Sequence, residues 1–217
     1  MLYNTYLPGG TRRFCPPFTP MGERLREDAQ GDYRLTAFEV SQDAAAFARL
    51  RSAISGRDDM ILPGWYMSLR QGDRLWMSDL PRERYTNLRA LRYLHGAVLI
   101  AGLGLGMLLP PLLTKDDVTT DAIIKITPEV VALVGAQFTD PRLRFVQADI
   151  LSWQPAKGTR YDSIYFDVWP NVCTDNLGEI NRLHRRFAHY LNRGNPDCWM
   201  SSWAVDELRT IRRRARS

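Results

Sequence analysis

AVLIAGLGLGMLLPPLL, residues 97–113, runs a continuous apolar stretch into three glycines at alternate positions, Gly102, Gly104 and Gly106. AVLIAG has the length and two-sided hydrophobicity of a central parallel strand. A strand that ends in glycines predicts a tight turn into the next segment. Such a turn has three physical uses: a cradle for phosphate, a cradle for a nucleoside, or a bend that lets a helix pack close. Bare backbone lets a ligand lie against the chain, and the amides of the turn can donate to its polar atoms. The stretch is too short to span a membrane, because Pro110 and Pro111 break it before the roughly 18 residues that crossing requires.

The pattern on either side agrees with this strand. Downstream, DVTTDAIIKI (117–126), RLRFVQAD (142–149), YDSIYFDVW (161–169) and CWMSSW (198–203) read as further strands. Between them, TPEVVALVGAQF (127–138) reads as a helix with Thr127 as N-cap and Pro128 in its first turn. LGEINRLHRRFAHYL (177–191) has the spacing of an amphipathic helix. The alternation predicts an α/β fold, an open, mostly parallel sheet with helices on both faces, over residues 97–217. Upstream, residues 1–31 are rich in Pro, Gly and Arg and read as an irregular arm. Residues 32–96 read as an extension of strand (33–40), helix (41–54, capped by Ser41), hairpin (65–79, turning at Gln71-Gly72-Asp73) and helix (82–96, ending on Gly96).

The composition is that of a water-soluble globular chain, with 45% hydrophobic and 24% charged residues in 217. The N-terminus lacks the order of a secretory signal, and Cys15, Cys173 and Cys198 match no metal spacing. A reducing cytoplasmic setting is the expectation, with no metal and no membrane contact. The net charge is +5, and VDELRTIRRRARS (205–217) carries five arginines against Asp206 and Glu207. Clustered arginines attract phosphate, which leaves a nucleic-acid partner open, but a solvated terminal helix explains them equally.

Ligands of such sheets bind beyond the carboxyl ends of the strands. Lys125, Asp149 and Asp167 join the glycine turn at those ends. Asp149 can accept from an exocyclic amine while Ile150 packs against a flat base, or it can simply cap the segment it begins. The ordered set AVLIAGLGLG, TTDAIIKITPEVV, DPRLRFVQADILSW and YDSIYFDVWP resembles the Rossmann-like class I S-adenosylmethionine-dependent methyltransferases over roughly residues 60–203. It is nearest in style to the spermidine (polyamine) synthase branch, which shares an aliphatic residue, here Ile100, two places before the first glycine. WMSDLPRERYTN is similar to the substrate-side segment of that branch.

The resemblance implies S-adenosylmethionine as cofactor. Gly102, Leu103, Gly104 and Gly106 would contact its amino-acid and ribose portion, and Asp149 and Ile150 its adenine. Lys125 and Ile126 fall at the ribose position, and Asp167 nearest the reacting centre, where it would act as the catalytic group holding an attacking amine. Asp167-Val168-Trp169-Pro170 departs from the Asn/Asp-Pro-Pro-aromatic signature of base-methylating enzymes. The acceptor is expected to be a small molecule of unassigned kind.

Lys125 is the sharp departure. The family places Glu or Asp there to accept from the ribose hydroxyls, whereas Lys carries donors only. Three outcomes stay open at this position: another acceptor takes the role, the pocket prefers a phosphate-bearing ligand that Lys would suit, or the ancestral ligand binds poorly and the chain acts otherwise. The functional readings are a transferase, an aminopropyltransferase, or a catalytically silent nucleoside-binding or assembly protein. The chain also leaves the sheet short of the terminal strands of the full family, so a truncated edge and a homo-oligomer that covers it are expected. Asp79 and Glu83 are secondary candidates as amine binders, and Trp65, Tyr66, Trp76, Tyr165 and Trp169 as an aromatic lining or as packing. His184 and His189 read as a solvent face.

Overall fold

The structure is a computed structural model that describes residues 18, 20–55, 61–125 and 127–215. Two sheets organise it. The first is antiparallel and contains β1 (Asp28–Gln30), β2 (Tyr33–Val40), β3 (Gly64–Gln71) and β4 (Arg74–Ser78) in that spatial order. The turn between β3 and β4 uses Gly72 at φ 52°, and the ladder carries a bulge at Leu69/Arg70. Helix α1 (Gln42–Ser55) follows β2, and the Ser41 hydroxyl caps it by accepting from the Ala44 amide at 3.2 Å. Helix α2 (Pro81–Tyr93) leads to the second sheet.

That sheet is wholly parallel, with order β7-β6-β5-β8-β9: β5 (Gly96–Ala101), β6 (Val118–Lys125), β7 (Leu143–Gln147), β8 (Ser163–Phe166) and β9 (Trp199–Ser202). Helices α3 (Leu109–Leu113), α4 (Pro128–Leu133), α5 (Asn176–Phe187) and α6 (Val205–Arg214) complete the chain. Alternate residues of the central strands point to opposite faces. Val98, Ile100, Ile123 and Tyr165 join one core with α2, α3 and α4, while Leu99, Ala101, Ile124, Ile164 and Phe166 join another with α5 and α6. This is a doubly wound, Rossmann-like α/β fold, with β7 and β9 as its edge strands among the described residues.

Several expectations change in detail. Met21, within the stretch expected to be irregular, is fully buried in a short 3-10 turn, and Asp28–Gln30 pairs onto β2 as an exposed edge. Neither shows an extended periodic pattern, because only Met21 and Leu25 are buried there among the described residues. Residues 1–17 and 19, including Cys15, lie outside the described residues. Gly96 does not cap α2, which ends on an extended Leu94. Gly96 instead opens β5 at φ 66°, where a Cβ would lie 2.7 Å from the Cβ of Asp162. Thr127 holds the N-cap position of α4 without a side-chain hydrogen bond. The expected long helices 127–138 and 177–191 each end early in a 3-10 turn, at Gly135–Gln137 and Ala188–Tyr190. His184 is half-buried rather than on a solvent face, with Nε2 2.8 Å from Ser202 Oγ and its ring 5.8 Å from Phe166.

The first sheet shares the core of the second. Leu35, Met67 and Leu69 belong to the same buried cluster as Val98 and Ile100. At the junction sits Asp79, wholly buried. Its Oδ2 accepts from the Met21 amide at 2.6 Å and from Arg84 at 2.7 Å, and its Oδ1 from the Met67 amide at 2.7 Å. One carboxylate thus ties the chain before β1 to β3 and α2. Asp79→Ala would leave two amides and a guanidinium buried without their acceptor. A loss of about 3–5 kcal/mol is expected, read as a fall in the urea midpoint.

Burial first, and the charge of Arg209 second, lower the His184 pKa to about 4. Between that value and the ordinary histidine pKa near 6.5 the unfolded chain binds the proton that the folded chain refuses. Stability is therefore expected to fall as pH drops from 6.5 towards 4. His184→Gln should flatten that fall in urea midpoints measured across the range.

Candidate functional site

The glycine turn is built by close approach. Gly102, at φ 110°, lies against the main chain of Asp167, and a Cβ there would come within 2.7 Å of the Asp167 carbonyl carbon. Two hydrogen bonds hold this approach: the Asp167 amide donates to Ala101 O at 2.6 Å, and the Gly102 amide to Ile124 O at 2.9 Å. Gly104, at φ 51°, lies under Met77 of β4, and the Leu105 amide donates to the Met77 sulfur at 3.2 Å. Gly106, at φ 69°, leaves room for the Phe138 ring, 2.8 Å from where its Cβ would be. All three glycines are in the left-handed region and each faces a different neighbour. The turn is therefore the place where β8, the antiparallel sheet and the end of the α4 segment meet.

Beyond the turn opens a cavity of about 920 Å³. Residues at or just past the ends of all five parallel strands line it: Gly102 after β5, Ile124 on β6, Asp149 after β7, Asp167 after β8 and Trp203 after β9. Leu103, Gly104, Gly106 and Ile150 line it as well. Lys125 is the last residue of β6, its side chain being outside the described atoms, and Ile126 lies outside the described residues.

Asp149 starts a turn: its Oδ1 accepts from the Leu151 amide at 2.9 Å and its carbonyl from the Trp153 amide at 2.7 Å. The capping role is thus real, yet a carboxylate has about four acceptor positions and one amide does not exhaust them. Ile150 is 4% exposed, and the Arg186 guanidinium of α5 holds the carbonyls of Ile150 and Leu151.

The opposite wall comes from β4, α2 and the segments after β8 and β9, including Trp76, Glu83, Trp169, Glu179 and Glu207. Burial pushes the Glu83 carboxyl above its ordinary value, against hydrogen bonds from the Ser78 amide and hydroxyl, both at 3.0 Å. Glu179 Oε2 accepts from Trp169 Nε1 at 2.6 Å. Burial, with the negative charge of Asp167 behind it, drives the Tyr165 phenol well above its usual range. Asp149, Asp167, Glu83, Glu179 and Glu207 face one described cation, Arg82. The cavity is acidic inside a basic protein.

Asp79 is absent from this lining because its oxygens are committed to the fold. Of the aromatic candidates, Trp76 and Trp169 line the cavity; Tyr66 and Tyr165 are buried in packing and Trp65 is exposed elsewhere. Glu179, Trp203 and Glu207 were not anticipated. The strand-end rule pointed to Trp203, which directly follows β9. Ala204 at φ 53° turns the chain there so that Glu207, one turn into α6, reaches the same space. Among the described residues no group of His, Cys, Asp and Glu is arranged to hold a metal ion, and no helix is long and apolar enough to cross a membrane.

No family model matches the chain, and no curated protein matches it in sequence. Solved structures do resemble it in part. The N-methyltransferase NodS from Bradyrhizobium japonicum WM9 is 16% identical with a TM-score of 0.40, over 52% of this chain and 64% of that one. An S-adenosylmethionine-dependent methyltransferase from Mesorhizobium loti is 18% identical with a TM-score of 0.39, over 49% of each chain. The plantazolicin methyltransferase BpumL, in complex with SAH, is 17% identical with a TM-score of 0.35, over 50% of this chain and 39% of that one. The chain therefore spans less than two thirds of each of these proteins.

The contact between Gly104 and Met77 can be tested by a double-mutant cycle. Gly104→Ala is expected to destabilise the protein by about 2–4 kcal/mol, from overpacking and left-handed strain together. Met77→Ala should remove the steric part, so the two losses measured by urea unfolding should sum to more than the loss in the double variant.

Proposed function

We propose that this chain is an S-adenosylmethionine-dependent transferase of the methyltransferase kind. One observation carries the reading: residues at the ends of all five parallel strands, with the glycine turn, Asp149, Ile150 and Asp167 among them, line one cavity of about 920 Å³. That volume suits a nucleoside cofactor with a small acceptor beside it. The acidic lining suits a sulfonium and an amino group, and the buried Ile150 suits the face of a base. In this reading residues 97–217 carry the cofactor and residues 32–96 supply the acceptor wall, in a protein working in the reducing cytoplasm.

When bound, S-adenosylmethionine supplies a methyl group activated by the positive sulfur. The chain's own residues do the rest. Gly102, Leu103, Gly104 and Gly106 hold the amino-acid and ribose portion, Asp149 accepts from the exocyclic amine, and Ile150 packs on the ring. Asp167 would hold the attacking atom in line and accept its proton or balance its positive charge. Glu83, Glu179 and Glu207 favour a cationic small-molecule acceptor over a phosphate-bearing one. Lys125 and Ile126 occupy the ribose position, and the ammonium supplies no acceptor for the hydroxyls.

A second reading, aminopropyl transfer to an amine, draws on the antiparallel sheet that delivers Met77 onto the glycine turn and on the same acidic wall. A third, a silent nucleoside-binding protein, draws on Lys125 alone.

Isothermal titration with S-adenosylmethionine and with methylthioadenosine separates these readings. Heat from either ligand with the native chain is expected, and Lys125→Glu should tighten binding about 10- to 100-fold by restoring a charged acceptor. Silence from both ligands at millimolar concentration in both proteins would overturn the proposal. Binding by the Lys125→Glu variant alone favours the silent reading. Product from putrescine and the decarboxylated cofactor favours aminopropyl transfer.

A further inference from the structure

Helix α1 is packed the wrong way round for a surface helix. Its buried residues are small: Ala45 and Ala48, at 1% and 4% exposure. Its large apolar residues face solvent: Phe47 at 61%, Leu50 at 57% and Ile54 at 79%. At 100° per residue these three fall within about 60° of one another, on the side opposite Ala45 and Ala48. Their spacing of three then four residues is one heptad of a helix–helix seam. An ordinary amphipathic helix gains stability by turning such side chains inward. Here only the alanines are buried, and the apolar stripe stays exposed among the described residues. A contiguous apolar stripe of this kind marks a contact surface.

We propose that α1 is a self-association surface, pairing antiparallel with α1 of a second copy of this chain. Two features select a second copy over another occupant. The stripe is self-complementary about a two-fold axis, with Phe47 of each copy against Leu50 of the other. In that register the 1.5 Å rise per residue brings Arg51 within about 4.5 Å, along the helix axis, of Asp43 of the other copy. Arg51 already lies beside the stripe, its guanidinium 5.3 Å from the centre of the Phe47 ring, and Asp43 is exposed. Each pair of helices therefore sets two symmetric opposite-charge pairs at the ends of an apolar centre of Phe47 and Leu50, with Ile54 level with Asp43 of the other copy. Three large side chains a side are fewer than a tight complex buries, so the association is weak and concentration-dependent. It involves no residue of the cavity and stands apart from the cofactor reading.

Sedimentation velocity of the native chain from about 1 to 300 µM is the test, with helical content checked by circular dichroism. The native protein is expected to shift from monomer towards dimer across this range. Leu50→Glu, at an exposed position, should stay folded and monomeric. Asp43→Arg should weaken the dimer, and adding Arg51→Asp should bring it back. A native chain that is monomeric throughout overturns the proposal, as does a dimer that survives Leu50→Glu. So does a monomer that pellets with phosphatidylcholine–phosphatidylserine vesicles through the same stripe, which would assign the surface to lipid.

Discussion

The close approach of Gly102 to the main chain of Asp167 is the constraint on which the rest of the molecule depends. Parallel strands β5 and β8 stay hydrogen-bonded to their last residues only because no Cβ stands between them at this point. From there the chain must turn in left-handed conformations at Gly102, Gly104 and Gly106, which glycine adopts without the steric penalty that other residues incur. The same absence of side chains lets Met77 descend from the antiparallel sheet and Phe138 from the segment after α4. One turn therefore does two jobs. It closes the packing between the two sheets, and it leaves a mouth of bare backbone at the ends of the strands.

That double use explains the shape of the cavity. Its floor is the parallel sheet, and part of its opposite wall is lent by β4 and α2, which Asp79 fastens to the first sheet and to the chain before it. The acids that line it lie on different elements: Glu83 on α2, Asp149 after β7, Asp167 after β8, Glu179 on α5 and Glu207 on α6. Several are held by neutral donors, Ser78 for Glu83, the Leu151 amide for Asp149 and Trp169 for Glu179. These donors fix the carboxyl groups in place without an ion-pair partner of their own among the described residues. The basic arginines lie largely on other surfaces, so net charge says little about the chemistry of the interior.

The order of the five parallel strands and of α4, α5 and α6 was legible in the sequence, because short apolar runs that alternate with helical spacing suit a covered parallel sheet, whereas the five-residue α3 was not read. The strand ends came with it, and so did Gly102, Gly104, Asp149, Ile150 and Asp167, since a residue that follows a buried strand must emerge at the same edge as its neighbours. The same rule set Lys125 at that edge, and the resemblance alone marked it as a departure from an acid. Met21 and β1 were not legible: two buried side chains, Met21 and Leu25, and an exposed three-residue edge leave too short a periodic trace. Nor were the partners of the three glycines, since sequence shows that a Cβ is missing but not which neighbour occupies its place.

Local pattern thus determined the class of fold and the edge of the sheet at which a ligand would sit. Tertiary structure alone decided that Asp79 serves packing while Glu83, four residues on, faces the cavity, and that Glu179 and Glu207 join it from α5 and α6. It alone decided that α1 turns its alanines inward and its Phe47, Leu50 and Ile54 out. The physical reason is the same in each case. Periodicity reports which side of an element is apolar, whereas what that side meets depends on the shape of a surface built from residues far away in the chain.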